Sequence, residues 1–147
     1  LFKNKLNIDI VQVPFNIFDQ RFEPYFEEIK KREIELCVRS VFLQGLVFKK
    51  VNEMSNFFSP LKDRLQQLIS LSEKNNISVL SLCINFVLEN DSIDKVVIGI
   101  DGLTHLNEII ETLNNHIVNN DVLFQLKQLK FEDERILLPS NWPNTKV

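Results

Sequence analysis

Gln12, Arg39 and Ser40 are polar side chains set in or at the end of strand-like runs of this 147-residue sequence, residue types that could do chemistry there. Gln12 lies in DIVQVPFNIFDQRF (9–22), Arg39 and Ser40 in ELCVRSVFLQGLVF (35–48), and a third segment, VVIGIDGLTHLNEI (96–109), carries Gly99, Asp101, His105 and Glu108. In each segment an apolar, strand-like run passes into a loop of polar or special residues. A guanidinium can stack on a ring or pair with phosphate, and a hydroxyl or an amide can orient a ligand. Plainer readings stand beside these: Gln12 as a satisfied core amide, Arg39 as a surface ion-pair partner, Ser40 as a turn former.

Other reactive types are poorly placed. Tyr25, the only Tyr, repeats at helical spacing with Phe26 and Ile29, a packing pattern. His105 falls in the first turn of an expected helix and His116 near its end, where an imidazolium would complement the dipole. Cys37 and Cys83 lack CxxC spacing, and with the two His they form no metal pattern. They read as buried, reduced thiols in a cytoplasmic protein.

The elements that must position these residues follow from periodicity. A strand is expected over 8–13, ended by Pro14, after a preceding helix or loop tail at 1–7. Asp19 should cap a helix over 20–32, with Glu27 facing Lys31 and Glu28 facing Arg32 as a solvated charge run. A second strand is expected over 34–39, then a long loop to 58 lying over the end of the sheet. Ser59 and Pro60 announce a helix over 61–74. A further helix should bury Val79, Leu82, Cys83, Phe86 and Val87 and end at Asn90 and Asp91. The third strand is expected at 95–98, stopped by Gly99. Thr104 should cap a helix through about 117, and Asn120 or Asp121 one through about 129.

Strand, loop and helix in repeated order predict an α/β fold with parallel strands, whose chemistry sits where the strands end. Three such units make a small open sheet or part of a larger one, since a closed eight-stranded barrel needs roughly 250 residues. There is no GxGxxG loop and no internal repeat. Hydrophobic residues at 44% and charged residues at 25% are ordinary for a globular chain. A net charge of −3 offers nucleic acid no basic stripe, and apolar runs fall short of the ~18 residues of a membrane span. The first residue is not Met and no signal pattern follows it, whereas ILLPSNWPNTKV reads as a natural terminus. The expectation is a chain lacking an N-terminal portion.

In order and spacing, the three segments resemble the C-terminal portion of the aldo/keto reductases, over about residues 6–142. The resemblance implies the C-terminal half of a (β/α)8 TIM barrel, strands six to eight, spanning 1–147. It implies that Gln12 bonds the nicotinamide carboxamide and that Ser40 meets the pyrophosphate, with Phe42, Gln44 and Gly45 in the loop that follows. Arg39 stands where the family usually stacks an aromatic ring on the nicotinamide. Gly99, Ile100 and His105 stand where many members hold the 2′-phosphate with Lys, Ser and Arg, and Asp101 adds a negative charge there. The cofactor is thus NADP or NAD, with no clear preference. Glu108 matches the residue that approaches the adenine amino group. The family's catalytic Asp, Tyr, Lys and His lie upstream of this segment, and no residue here qualifies as the acid for carbonyl reduction. VRSVFLQGL also resembles aldo/keto reductase-like proteins of bacterial sugar-biosynthesis clusters. The implied function is part of an oxidoreductase that passes hydride between a nicotinamide dinucleotide and a small carbonyl substrate. The other reading is a non-catalytic half-barrel remnant or interaction module.

Overall fold

Three short strands lie side by side, all parallel, in the order β1 (Ile10–Pro14), β2 (Glu35–Arg39), β3 (Lys95–Val96). The computed structural model describes residues 7–115 and 118–143; the readings of His116 and of residues 1–6 lie outside that range. In register, Gln12 sits opposite Cys37, and Cys37 opposite Lys95. Side chains alternate between the two faces. Val13, Leu36 and Val38 point into the core and are buried. Ile10, Gln12, Arg39, Lys95 and Val97 are exposed on the other face.

The helices of the described residues therefore belong to the layer on the buried face of the sheet. They are α1 (Phe26–Lys31), α2 (Lys62–Asn75), α3 (Val79–Leu88), α4 (Leu103–Asn114), α5 (Asn120–Lys127) and α6 (Glu134–Leu137). Parallel sheets normally bury both faces, so the bare face is the unusual feature of this architecture. The core beneath the covered face is aromatic: Phe15 stacks on Phe86 at 5.3 Å and meets Phe26 edge-on at 5.1 Å. Every residue of α3 from Leu80 to Val87 is buried, a helix enclosed on all sides rather than amphipathic. Val79, expected inside, is only half-buried.

Several sequence expectations shift. Pro14 ends β1 from inside the strand, and Phe15 N–H carries the ladder one step further by donating to Arg39 O at 3.1 Å. The helix expected from 20 begins at Phe26, after a 3₁₀ turn over Glu23–Tyr25. Asp19 caps nothing, because its carboxylate is taken by Arg21 through Nε at 2.8 Å and Nη2 at 3.0 Å. Pro60 lies inside a 3₁₀ turn, Asn56–Leu61, and α2 starts without a side-chain cap. Thr104 does not cap α4; Gly102 holds that position with no side-chain bond. Asn119, not Asn120 or Asp121, caps α5, its Oδ1 accepting from Val122 N–H at 2.9 Å. The third strand is two residues long instead of four, though Val97 N–H still donates to Val38 O at 2.8 Å.

The stretch from Val41 to Leu61 is an ordered cover folded into three 3₁₀ turns, and it buries Leu43, Leu46, Met54, Phe58 and Leu61. The C-terminal segment locks onto it. Trp142 meets Phe58 edge-on at 5.0 Å, and its indole N–H donates to Ile136 O at 2.8 Å.

Candidate functional site

A cleft of about 360 Å³ opens at the C-terminal ends of β2 and β3. Its walls are the loop after β2 and the turn that leads from β3 into α4. Arg39, Ser40, Phe42, Gln44, Gly45, Gly99, Asp101 and His105 all line it, together with Val41, Phe48, Val97 and Ile98. Ligands of parallel α/β folds bind at this end of the strands. Eight of the ten residues singled out in the sequence are thus neighbours around one hollow, although they are separated by more than 50 positions in the chain.

The loop wall is built from unusual backbone. Ser40 (φ 63°), Leu43 (φ 44°), Gln44 (φ 55°) and Gly45 (φ 80°) all occupy the left-handed region. Outside glycine each such residue stores on the order of 1–3 kcal/mol of strain, which collects at functional sites. Two turn bonds hold the shape: Leu43 N–H donates to Ser40 O and Gly45 N–H to Phe42 O, both at 2.9 Å. A third bond crosses from the neighbouring turn, where Asn16 Nδ2 donates to Ser40 O at 2.9 Å. Asn16 is itself buried, and its Oδ1 accepts from Phe18 N–H at 3.0 Å and Asp19 N–H at 2.9 Å. Sequence reasoning passed over Asn16. The signal was available, since an Asn just past a strand-ending Pro is an Asx-turn former.

Charge is unevenly distributed along the cleft. Arg39 projects at the β2 end, and its Nη1 donates to Ser40 Oγ at 3.1 Å. That pairing sets a cation and a hydroxyl side by side, a combination suited to phosphate oxygens. At the α4 end the charge is the Asp101 carboxylate. Asp101 N–H donates to His105 Nδ1 at 3.5 Å, leaving Nε2 as the ring's other nitrogen. That nitrogen is buried and has no hydrogen-bond partner among the described residues. The His105 ring packs against Phe42 at 5.6 Å, and Phe42 against Phe48 at 5.2 Å, so one aromatic row lines the cleft.

Two of the expected residues stand apart. Gln12 lies on the bare sheet face, below the rim, with Nε2 directed at Cys37 Sγ at 3.7 Å. Glu108 is exposed and faces a separate hollow between α3 and α4, beside Ser78, Ser81 and Thr112. Tyr25 is exposed at the start of α1 and lines no part of the cleft. Cys83 lies within α3, where burial pushes its thiol pKa far upward, the mark of an inert core thiol.

Comparisons with known proteins bear on this arrangement. The aldo/keto reductase family model matches residues 1–129. The fold is similar to that of aldo-keto reductase AKR11C1 from Bacillus halodurans in its apo form, with 17% identity, a TM-score of 0.70, and coverage of 90% of this chain and 48% of that one. Its holo form gives 16% identity, a TM-score of 0.70, and coverage of 90% and 47%. The thermostable aldo-keto reductase Tm1743 with the inhibitor epalrestat gives 16% identity, a TM-score of 0.62, and coverage of 87% and 42%. The chain therefore spans about half the length of these structures, and its strands and helices match a partial (β/α) barrel. No curated protein matches it.

Proposed function

The chain belongs to the aldo/keto reductase family, and from that premise we propose that it forms the C-terminal, cofactor-holding half of a nicotinamide-dependent oxidoreductase acting on small carbonyl compounds. The observation that carries this reading is the convergence of Arg39, Ser40, Gln44, Gly45, Asp101 and His105 on one cleft at the strand ends. In the completed barrel the bound dinucleotide supplies the hydride. Ser40 and the left-handed loop hold its pyrophosphate, while Arg39 adds charge or stacks on the ring. Gln12, one layer below the rim, orients the nicotinamide carboxamide. Gly99, Asp101 and His105 receive the adenosine, and Glu108 reaches the adenine only if the base extends over α4. The acid that protonates the alkoxide comes from the other half, and the setting is cytoplasmic.

A second reading keeps the same fold without catalysis: a half-barrel retained as an interaction module. The bare sheet face favours it, as does the exposed apolar row of Leu103, Ile110 and Leu113 on α4. Titrating NADH and NADPH into protein that carries this chain and the remaining strand–helix units separates the two. Quenching that saturates, and that weakens about tenfold or more on Ser40→Ala, roughly 1.4 kcal/mol, supports the cofactor reading. Absence of binding to the complete barrel leaves the module reading.

A further inference from the structure

We propose that Asn16 is a positioning residue for the cleft: its side-chain amide clamps Ser40 in the left-handed conformation and so fixes the 40–45 loop from the neighbouring strand turn. The parallel ladder between β1 and β2 would otherwise end at Phe15 N–H on Arg39 O. Asn16 Nδ2 adds one more rung, to Ser40 O at 2.9 Å, at the point where the β1 backbone turns away. Ser40 O also accepts Leu43 N–H at 2.9 Å. This single carbonyl therefore joins the clamp to the first turn of the loop.

Asn16 is 1% exposed, with one of its two N–H donors used and Oδ1 accepting twice. It lines no part of the cleft, so it acts through Ser40. A non-glycine residue in the left-handed region relaxes when nothing over-determines it, and Asn16 is the tertiary contact that does so. The inference depends on the dinucleotide reading only for what the loop holds.

Asn16→Asp tests it, because the carboxylate keeps both acceptor bonds and loses the donor. Burial raises such a carboxyl's pKa, so mild acid restores an O–H that can donate to Ser40. The charged neighbours are Asp19, whose carboxylate is held by Arg21, and Arg39 across the ladder. Wild type and Asn16→Ala, carried through the same pH series, correct for their titration. Hydrogen exchange on the full chain reads the Leu43 and Gly45 amides. At pH 7 both variants should exchange there about tenfold faster than wild type, the equivalent of about 1.4 kcal/mol, and near pH 5 only Asn16→Asp should recover. In a Ser40→Gly background, where left-handed backbone is free of strain, the Asn16→Asp effect should shrink. Unchanged exchange in Asn16→Asp at pH 7, or recovery in Asn16→Ala as well, overturns the clamp. If exchange follows the expected pattern but dinucleotide affinity does not change with it, the clamp stands and the cofactor reading falls.

Discussion

Lys95 on β3 reaches along the bare sheet face to Glu35 on β2, bringing Nζ to within 2.8 Å of Oε1. This ion pair with Glu35 is the main cause that raises the Lys95 pKa above the ordinary 10.5. A raised lysine stabilises the fold fully below its unfolded value and loses that contribution as pH climbs through the folded one. The stability difference between wild type and Lys95→Met should therefore be constant through neutral pH and narrow above about 10.5. Urea midpoints of both proteins across that range check this. The difference should be small, since an exposed pair is worth little, and a gap that widened with alkalinity would contradict the pairing.

Cofactor discrimination should be weak. Gly99 and His105 supply no fixed cation at the α4 end of the cleft, and Asp101 there repels a phosphate. Affinities for NAD and NADP measured side by side in the complete barrel should differ by less than about a hundredfold, or about 2.7 kcal/mol. A stronger preference for NADP would require another residue to supply the missing charge.

On its own, the 147-residue chain should associate. The outer edges of β1 and β3 pair with no strand among the described residues, and Ile10 and Val97 are exposed on the bare face. Unpaired strand edges template contacts between copies. Light scattering should report oligomers or aggregates; a stable monomer would count against the half-barrel reading.

The chain alone should not reduce a carbonyl. That step needs a proton donor within hydrogen-bond reach of the forming alkoxide, a contribution of about 10²–10⁴-fold. Among the described residues Tyr25 lines no part of the cleft, and His105 packs against the Phe42 ring. NADPH absorbance followed with a panel of aldehydes should stay flat for this chain. Steady turnover that disappears on Gln12→Ala would mean that this chain supplies a proton donor of its own.

The sequence made the strand–loop–helix order legible because Val, Ile and Leu runs end in polar loops at three places, and the same feature located the cleft. Boundaries were less readable where tertiary contacts overrode local signals. Asp19 carries a helix-cap signature, yet Arg21 claims its carboxylate. Thr104 is one turn-former among several, and Gly102 holds the cap position of α4 instead. The left-handed run through Leu43 and Gln44 has no signature at all, since those residue types rarely adopt it. Glu108 matched by position along the chain, but the direction of α4 turns it toward α3.

Because Trp142 is the only Trp in the chain, its edge-on contact with Phe58 makes the molecule its own fluorescent gauge. Indole emission overlaps the absorption band of reduced nicotinamide, so a dinucleotide entering the cleft should draw excitation energy from Trp142, an effect that a Trp142→Phe variant isolates. The same signal, followed without ligand during unfolding, reads the moment the C-terminal segment lifts from the 3₁₀ cover. One spectroscopic channel thus separates occupancy of the cleft from opening of the structure around it.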